Sequence, residues 1–331
     1  MSTGPHDSKP RLIADIGATN ARFAIFLRGA VLHENTLACA DYPNLADAVQ
    51  FYLRELGDAS LYPVEAALAI AGPIQGDVVV MTNHPWRFSV SATRKQLSLE
   101  RLIVLNDFTA LAMAIRHLPR DELARVGGTT ETADAAVALL GPGTGLGVSG
   151  LIPTQGQWIP LQGEGGHVTL PVTTERENEI VTHLRRQFTH VSAERALSGP
   201  GLVNLYHAIC AIDGKPSAAL TPPDVTRLGL EENDPVCREV LQVFCALLGT
   251  VAGNLALTLG ALGGLYIGGG IVSRFGKFFA ASSFRERFED KGRYANYLAP
   301  VPAYVIHTEK PAFVGLVRAF DTPGPRWEAK G

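Results

Sequence analysis

Two short segments, far apart in the chain, share one plan, and that plan limits what the chain can fold into. In Arg11 to Gly29 (RLIADIGATNARFAIFLRG) an apolar run, Leu12 to Ile16, meets a small polar turn, Gly17 to Asn20, and a second apolar run, Phe23 to Leu27, follows at once. In Ala135 to Ile152 (AAVALLGPGTGLGVSGLI) an apolar run again meets a Gly/Thr turn, Gly141 to Gly145, and another apolar run follows. Each segment reads as two antiparallel strands joined by a tight loop. The repetition predicts two related α/β domains, each opening with a glycine-bearing hairpin. The 331 residues accommodate about two domains.

The rest of the chain alternates in the same way. Leu45 to Glu55 carries Leu45, Ala48, Val49 and Tyr52 at helical spacing. Glu65 to Ala71 and Leu102 to Leu105 read as strands, and a helix opens at Phe108 directly after Asn106-Asp107. Glu175 to Phe188 and Val236 to Leu262 read as helices, and Ser198 to Gly201 as the break between two helices. Strands alternating with helices predict an α/β architecture. Ala246 to Val272 holds no charged residue, but glycines at 263, 264 and 268–270 interrupt it. It reads as a buried helix, a short strand (Leu265 to Ile267) and a glycine turn rather than as a membrane span.

Composition narrows the classes of partner. Lys plus Arg total 29 against 32 Asp plus Glu, a net charge of -3, with no basic run, which argues against nucleic acid. Cys39, Cys210, Cys237 and Cys245 form no C-x-x-C pair, so they read as reduced, packed thiols of a cytoplasmic protein. Residues 1–10 are polar, with no apolar core for a secretory signal, and read as a tail, as does 322–331 with its Pro323-Gly324-Pro325. Neither end suggests a membrane partner.

Six places carry candidate chemistry. Glycine lets backbone N–H groups approach phosphate oxygens, and successive N–H groups in a turn form an anion nest. The two hairpin turns fit that role, with Thr19 and Thr144 adding hydroxyls and Asp15 placed to reach a phosphate-bound Mg²⁺ through water. A Walker A pattern is absent. Gly145, Gly147 and Gly150 match G-x-G-x-x-G, but Pro153 and Gly156 follow where a dinucleotide site needs a helix. Asn106-Asp107 lies at the carboxyl end of a strand, where α/β folds gather ligands; Asn or Asp there serves equally as a helix N-cap. In Gln162 to Leu170 (QGEGGHVTL) Glu164 and His167 have ExxH spacing, but two glycines between them oppose a helical metal site and suit a loop that hydrogen-bonds a polar ligand or water. Glu194 alone reads as a surface acid. The turn at Gly268 to Gly270 is either plain structure or a place for a flat nucleoside.

Taken together and in order, these segments resemble the bacterial glucokinase family of the type that lacks the zinc motif of ROK sugar kinases. The resemblance is carried by ADIGATNARFAI (14–25), MTNHPW (81–86), LNDFTALAMAI (105–115), GPGTGLGV (141–148), GEGGHV (163–168), HVSAERALSGPGLVNLY (190–206), GGGIV (268–272) and FEDKGR (288–293), over roughly residues 11–320. It implies a two-domain actin/hexokinase-like (ribonuclease H-like) ATPase fold with an interdomain cleft. The small α/β domain would comprise 11–117 plus about 309–322, and the large one 118–308, with tails at 1–10 and 323–331.

The resemblance further implies ATP-dependent phosphorylation of D-glucose at its 6-hydroxyl, Mg²⁺ as cofactor, a homodimer and a glycolytic role. Carried over by motif, Asp107 would be the general base, and Asn106, Asp107, Glu164, His167 and Glu194 would bind glucose. Ala14, Asp15, Ile16, Gly17, Ala18 and Thr19 would form the first phosphate loop, with Asp15 serving Mg²⁺. Gly143, Thr144 and Gly145 would form the second, and Gly268, Gly269 and Gly270 would flank the adenosine. A kinase for another hexose and a catalytically silent sugar sensor are the alternatives. Two positions depart from the family pattern. Ala18 replaces a second glycine, which costs stability only if the position needs a positive φ. Lys310-Pro311-Ala312 stands where Asn-Pro-Gly is usual.

Overall fold

The structure is a computed structural model, and it describes residues 9–82, 84–322 and 327–330. Most of the expected N-terminal tail (1–8), Asn83 of the MTNHPW motif, Pro323 to Arg326 and Gly331 lie outside the described residues. The chain forms two compact units. One comprises Met1–Leu118, Thr154–Gln162 and Glu309–Gly331, the other Pro119–Pro153 and Gly163–Thr308. Segment 154–162, expected with the second, groups with the first for a physical reason. There Arg116 stacks on Trp158 at 4.5 Å, and the Gln162 amide donates to Ile74 O at 2.8 Å.

In chain order the first unit forms β1 (Arg11–Ile16), β2 (Asn20–Leu27), β3 (Ala30–Ala38), α1 (Leu45–Glu55), β4 (Glu65–Ile70), β5 (Val78–Val80), β6 (Arg87–Ser89), α2 (Val90–Gln96), β7 (Arg101–Asn106) and α3 (Asp107–Ala114). The chain continues through β8 (Leu123–Arg125), β9 (Val137–Pro142), β10 (Leu146–Thr154) and β11 (Gln157–Pro160). Next come α4 (Glu175–Leu184), α5 (Gly199–Ile212), α6 (Pro222–Leu230), α7 (Pro235–Leu259), β12 (Leu265–Ile267), α8 (Gly270–Phe275), α9 (Lys277–Ala280), α10 (Phe284–Glu289), α11 (Ala295–Leu298) and β13 (Ala303–Ile306). Finally α12 (Pro311–Ala319) and β14 (Trp327–Lys330) return to the first unit.

The first unit is built on a sheet of order β14-β7-β4-β1-β2-β3, in which β1, β4 and β7 run parallel. Side chains alternate across a strand, so a strand covered on both faces is apolar throughout. Leu12, Ala14, Ile16, Leu68 and Val104 pack on one face with Leu45, Val49 and Tyr52 of α1. Ile13, Ala67, Ala69 and Ile103 pack on the other with Met113 of α3 and Phe313 and Leu316 of α12. Contact between α3 and α12 is close enough that a Cβ on Gly315 would collide with Ala110 O. Pro311 opens α12, where its fixed φ and missing N–H suit a first helical turn.

One expectation is overturned here. Residues 327–330, read as part of a tail, form β14 antiparallel to β7, pairing Trp327 with Val104 and Lys330 with Arg101. The segment covers the otherwise open edge of β7. It is held by burial of Ala329 and by the Arg101–Glu328 ion pair at 2.8 Å. In the sequence, Pro323-Gly324-Pro325 draws attention away from four residues, 327–330, whose apolar and polar side chains alternate as a strand's should.

The second unit carries strands in the order β10-β9-β12-β13-β8, with β9, β12 and β13 parallel. Its central helix, α7, is long and apolar enough to cross a membrane, with mean hydropathy 1.9 over 18 residues, yet 72% of that window is buried inside the protein. It is the core helix of this unit. It ends at Leu259 because Gly260 adopts a left-handed φ of 61°. Helix α4 likewise stops at Leu184, short of Phe188.

Arg287, directly before the FEDKGR motif, has a structural role. Arg287 donates to both carboxylate oxygens of Glu177 (2.6 and 3.1 Å) and to the Thr250 hydroxyl at 2.7 Å. Glu177 also accepts from the amides of Thr173 and Thr174, completing the capping box of α4. Burial alone would raise the Glu177 carboxyl, but the Arg287 and amide hydrogen bonds outweigh it and hold the group below its ordinary value. Removing one partner of a buried pair leaves an uncompensated charge, so Arg287→Met should lower unfolding free energy by about 3–5 kcal/mol in urea titrations. The carboxyl is depressed in the folded state, so its contribution is present above the ordinary carboxylate range and is lost as pH falls through the folded value. The loss from Arg287→Met should therefore shrink at acid pH; a loss independent of pH would refute the pairing.

Candidate active site

In the first unit, β1 and β2 pair in register from Arg11↔Phe26 to Ile16↔Ala21, leaving Gly17, Ala18 and Thr19 as the turn. The Gly17 amide closes it by donating to Asn20 O at 2.9 Å. Cys39 braces it from outside, its amide donating to Thr19 O (2.9 Å) and its thiol to Gly17 O (3.4 Å). The amides of Ala18 and Thr19 have no acceptor among the described residues, so the turn keeps donors in reserve for an anion. Asp15 lies one residue before the end of β1. Burial raises its carboxyl, and Arg22, 3.2 Å away, partly offsets that.

The dipeptide Asn106-Asp107 ends β7 and begins α3. Asn106 is the N-cap. Its side-chain oxygen accepts from the amides of Phe108 (2.9 Å) and Thr109 (3.2 Å), and its amide donates to Gly72 O at 3.2 Å. The cap thereby locks the first turn of α3, where Asp107 stands with one carboxylate oxygen 2.9 Å from the Phe108 amide.

In the second unit, β9 and β10 leave Gly143, Thr144 and Gly145 as the turn. Gly143 donates to Gly145 O at 2.8 Å and accepts from the Gly199 amide at the start of α5, also at 2.8 Å. The amides of Thr144 and Gly145 again have no acceptor among the described residues. Glu194 is the organising side chain. One carboxylate oxygen accepts from the Leu146 amide at 2.9 Å, and the other lies 4.0 Å from Nδ1 of His167. Its own main chain is held by Ser198, whose hydroxyl donates to Glu194 O (2.7 Å) while capping α5. A short 3-10 turn, Ala193–Arg195, precedes α5 in place of the expected earlier helix.

The GEGGHV segment lies against β10. A Cβ on Gly166 would collide with Leu146 O, so that position needs glycine for close approach, while one on Gly145 would press on the Glu194 carboxylate. Glu164 and His167 flank the turn and are exposed, and the His167 amide closes it on Glu164 O at 3.0 Å. Among the described residues no cluster of three or more His, Cys, Asp or Glu is placed to hold a metal.

The third glycine turn follows β12. Gly269 has φ 79°, and a Cβ there would collide with Pro142 O, so the turn is seated on the end of β9. A cavity of about 890 Å³ opens beside it, lined by Gly143, Thr144, Pro222, Leu230, Gly270 and Ile271 among others. The structure thus brings the turn at 143–145, expected as the second phosphate loop, and the third glycine turn to one cavity. Sequence reasoning missed the other charged lining residues, Arg227, Glu231 and Arg274. The Thr221-x-x-Asp224 capping box announces α6, but nothing in the sequence says that the end of α6 lines a cavity.

Ala18 is resolved by its backbone. It is absent from the residues with positive φ, so alanine fits without strain. Ala18→Gly should therefore lower stability by about 0.4–1 kcal/mol through unfolded-chain entropy alone. A gain in melting temperature would show instead that the loop is strained.

Comparison with known proteins agrees with this geometry. A family model described as Glucokinase matches residues 12–322. A glucokinase of Aromatoleum aromaticum is 52% identical over 97% of each chain. One of Chromobacterium violaceum is also 52% identical, over 96% of this chain and 90% of its own. The crystal structure of a glucokinase from an Antarctic psychrotroph matches with TM-score 0.84 at 36% identity, covering 94% of this chain and 98% of that one. A Balamuthia mandrillaris glucokinase, solved in complex with glucose, matches with TM-score 0.74 at 17% identity over 95% of this chain and 94% of its own, a likeness of fold alone. The architecture is the two-domain ATPase fold of hexokinase-like sugar kinases, and the chain belongs to the glucokinase family.

Proposed function

We propose that the chain transfers the γ-phosphoryl group of ATP to the 6-hydroxyl of D-glucose, with Asp107 as general base. The observation that carries this reading is the Asn106 cap, which fixes Asp107 at the carboxyl end of β7 on the first turn of α3. Two relatives that are 52% identical over nearly the whole chain, both named glucokinase, support it.

Asp107 orients the 6-hydroxyl and accepts its proton as the oxygen attacks the γ-phosphorus. A carboxylate is a weak base, so the proton moves late and alignment dominates. Phosphoryl transfer depends mostly on positioning and charge stabilisation. The unpaired amides of the two hairpin turns supply donors for the phosphates, and Thr19 and Thr144 add hydroxyls. Glu164, His167 and Glu194 bind the remaining sugar hydroxyls. Asn106 contributes chiefly through the cap, since its oxygen already accepts two amides. The cavity beside Gly268 to Gly270 receives the adenosine.

The donor set also fits Mg²⁺. This ion keeps several of its waters and is usually held by one or two carboxylates plus substrate phosphates. Asp15 is one desolvated carboxylate next to a turn with open amides, and it would hold the ion through water. When bound, Mg²⁺ neutralises charge on the phosphates. A cytoplasmic homodimer completes the reading. The family supports it, and four buried free cysteines suit a reducing compartment.

The test is glucose 6-phosphate formation with Mg-ATP, with mannose and fructose in parallel. Loss of a general base commonly costs about 10²–10⁴ in rate, so Asp107→Ala should lose turnover to that extent while still binding glucose by calorimetry. Near-normal turnover in that variant would overturn the assignment, and faster turnover on another hexose would change the substrate.

A further inference from the structure

We infer that Glu231 reads the ribose of the nucleotide, accepting hydrogen bonds from its 2′- and 3′-hydroxyls. The inference rests on the ATP-binding reading of the cavity beside Gly270. It starts from the charges lining that cavity, which are Arg227, Glu231 and Arg274. Arg227 is already paired with Glu232, one residue beyond Glu231. The side chains of Arg274 and Glu231 have no hydrogen-bond or ion-pair partner among the described residues.

These two unpaired groups differ in what they can serve. Arg274 lies one helical turn after Gly270, and its guanidinium returns to about 3.8 Å from where a Cβ on Gly270 would sit. With Gly143 and Thr144 it lines a region rich in donors, which suits phosphate oxygens. A carboxylate in a cavity that takes a polyanion repels the phosphates and must face an uncharged, donor-bearing part of the ligand. A nucleotide offers two such parts, the ribose diol and an exocyclic amine of the base.

The diol matches Glu231 better. Two O–H donors on adjacent carbons engage both carboxylate oxygens, as acidic residues do with ribose in dinucleotide sites. A single amine leaves one oxygen unused. The walls available to the flat base are apolar, formed by Pro222, Pro223, Leu230 and Ile271. Position agrees as well. Glu231 caps the C-terminal end of α6 through its amide, which donates to Arg227 O at 2.8 Å, so its backbone is fixed while its side chain stays exposed.

A hydrogen bond at an exposed site is worth about three- to tenfold in affinity. Calorimetry with ATP, 2′-deoxy-ATP and inosine triphosphate on the wild type, Glu231→Ala and Glu231→Gln tests the inference. The wild type should prefer ATP to 2′-deoxy-ATP by about that factor. In Glu231→Ala the preference should fall to near one, with the ATP to inosine triphosphate ratio kept, and Glu231→Gln should lie between. Equal wild-type affinities, or a preference that survives Glu231→Ala, would overturn the inference. So would collapse of the inosine ratio, which would assign Glu231 to the base amine. Turnover of glucose with ATP alongside any of these results shows that only the inference has failed. No binding of any of the three nucleotides and no turnover would overturn both the inference and the kinase reading.

Discussion

A single hydrogen bond, from the Leu146 amide to the Glu194 carboxylate at 2.9 Å, ties together the chemistry-bearing parts of the second unit. It fixes the end of the glycine turn at 143–145. It holds Glu194 where its other oxygen lies 4.0 Å from His167 and its carboxylate packs against Gly145. Ser198 joins the same knot by holding the main chain of Glu194 while capping α5, and the amide at the start of that helix bonds Gly143. The turn at 143–145 and the segment carrying His167 thereby share one set of supports.

The first unit achieves the same end with different atoms. There a buried cysteine, not an acid, braces the turn from outside, through its amide and thiol. In both units the result is a short turn fixed at its edges with two backbone amides left open. Preorganised donors of this kind need no rearrangement when charge develops on a phosphate. The sheets supply the rigidity underneath. Strands β1, β4 and β7 are covered on both faces, and β7 delivers Asn106 and Asp107 at its carboxyl end.

Much of this was legible in the sequence, for reasons that are local. The twin hairpins, α1 over Leu45–Glu55 and the strand Leu265–Ile267 follow from periodicity and turn chemistry. The candidate residues for base, sugar and phosphate follow from motifs in a fixed order. What was not legible depends on distant contacts. Residues 327–330 look like a tail until β7 offers them an edge. Glu194 reads as a surface acid until it meets Leu146, 48 positions earlier in the chain. Asn106 could be read as ligand or cap, and its bonds show a cap. Ala18 could be read as a strained substitution, and its backbone conformation shows that it is not. Glu231 and Arg274 carry no motif, and only the end of α6 meeting the start of α8 around one cavity marks them.

The account turns on Glu194 serving both loops, so the direct measurement is paired calorimetry of glucose and of ATP on Glu194→Ala, with thermal unfolding as a control for folding. The account predicts that both affinities fall, glucose through the lost carboxylate and ATP by roughly tenfold as the turn at 143–145 loses its brace. Loss of glucose affinity with ATP affinity kept within about twofold would contradict it, by showing that the phosphate turn stands without Glu194.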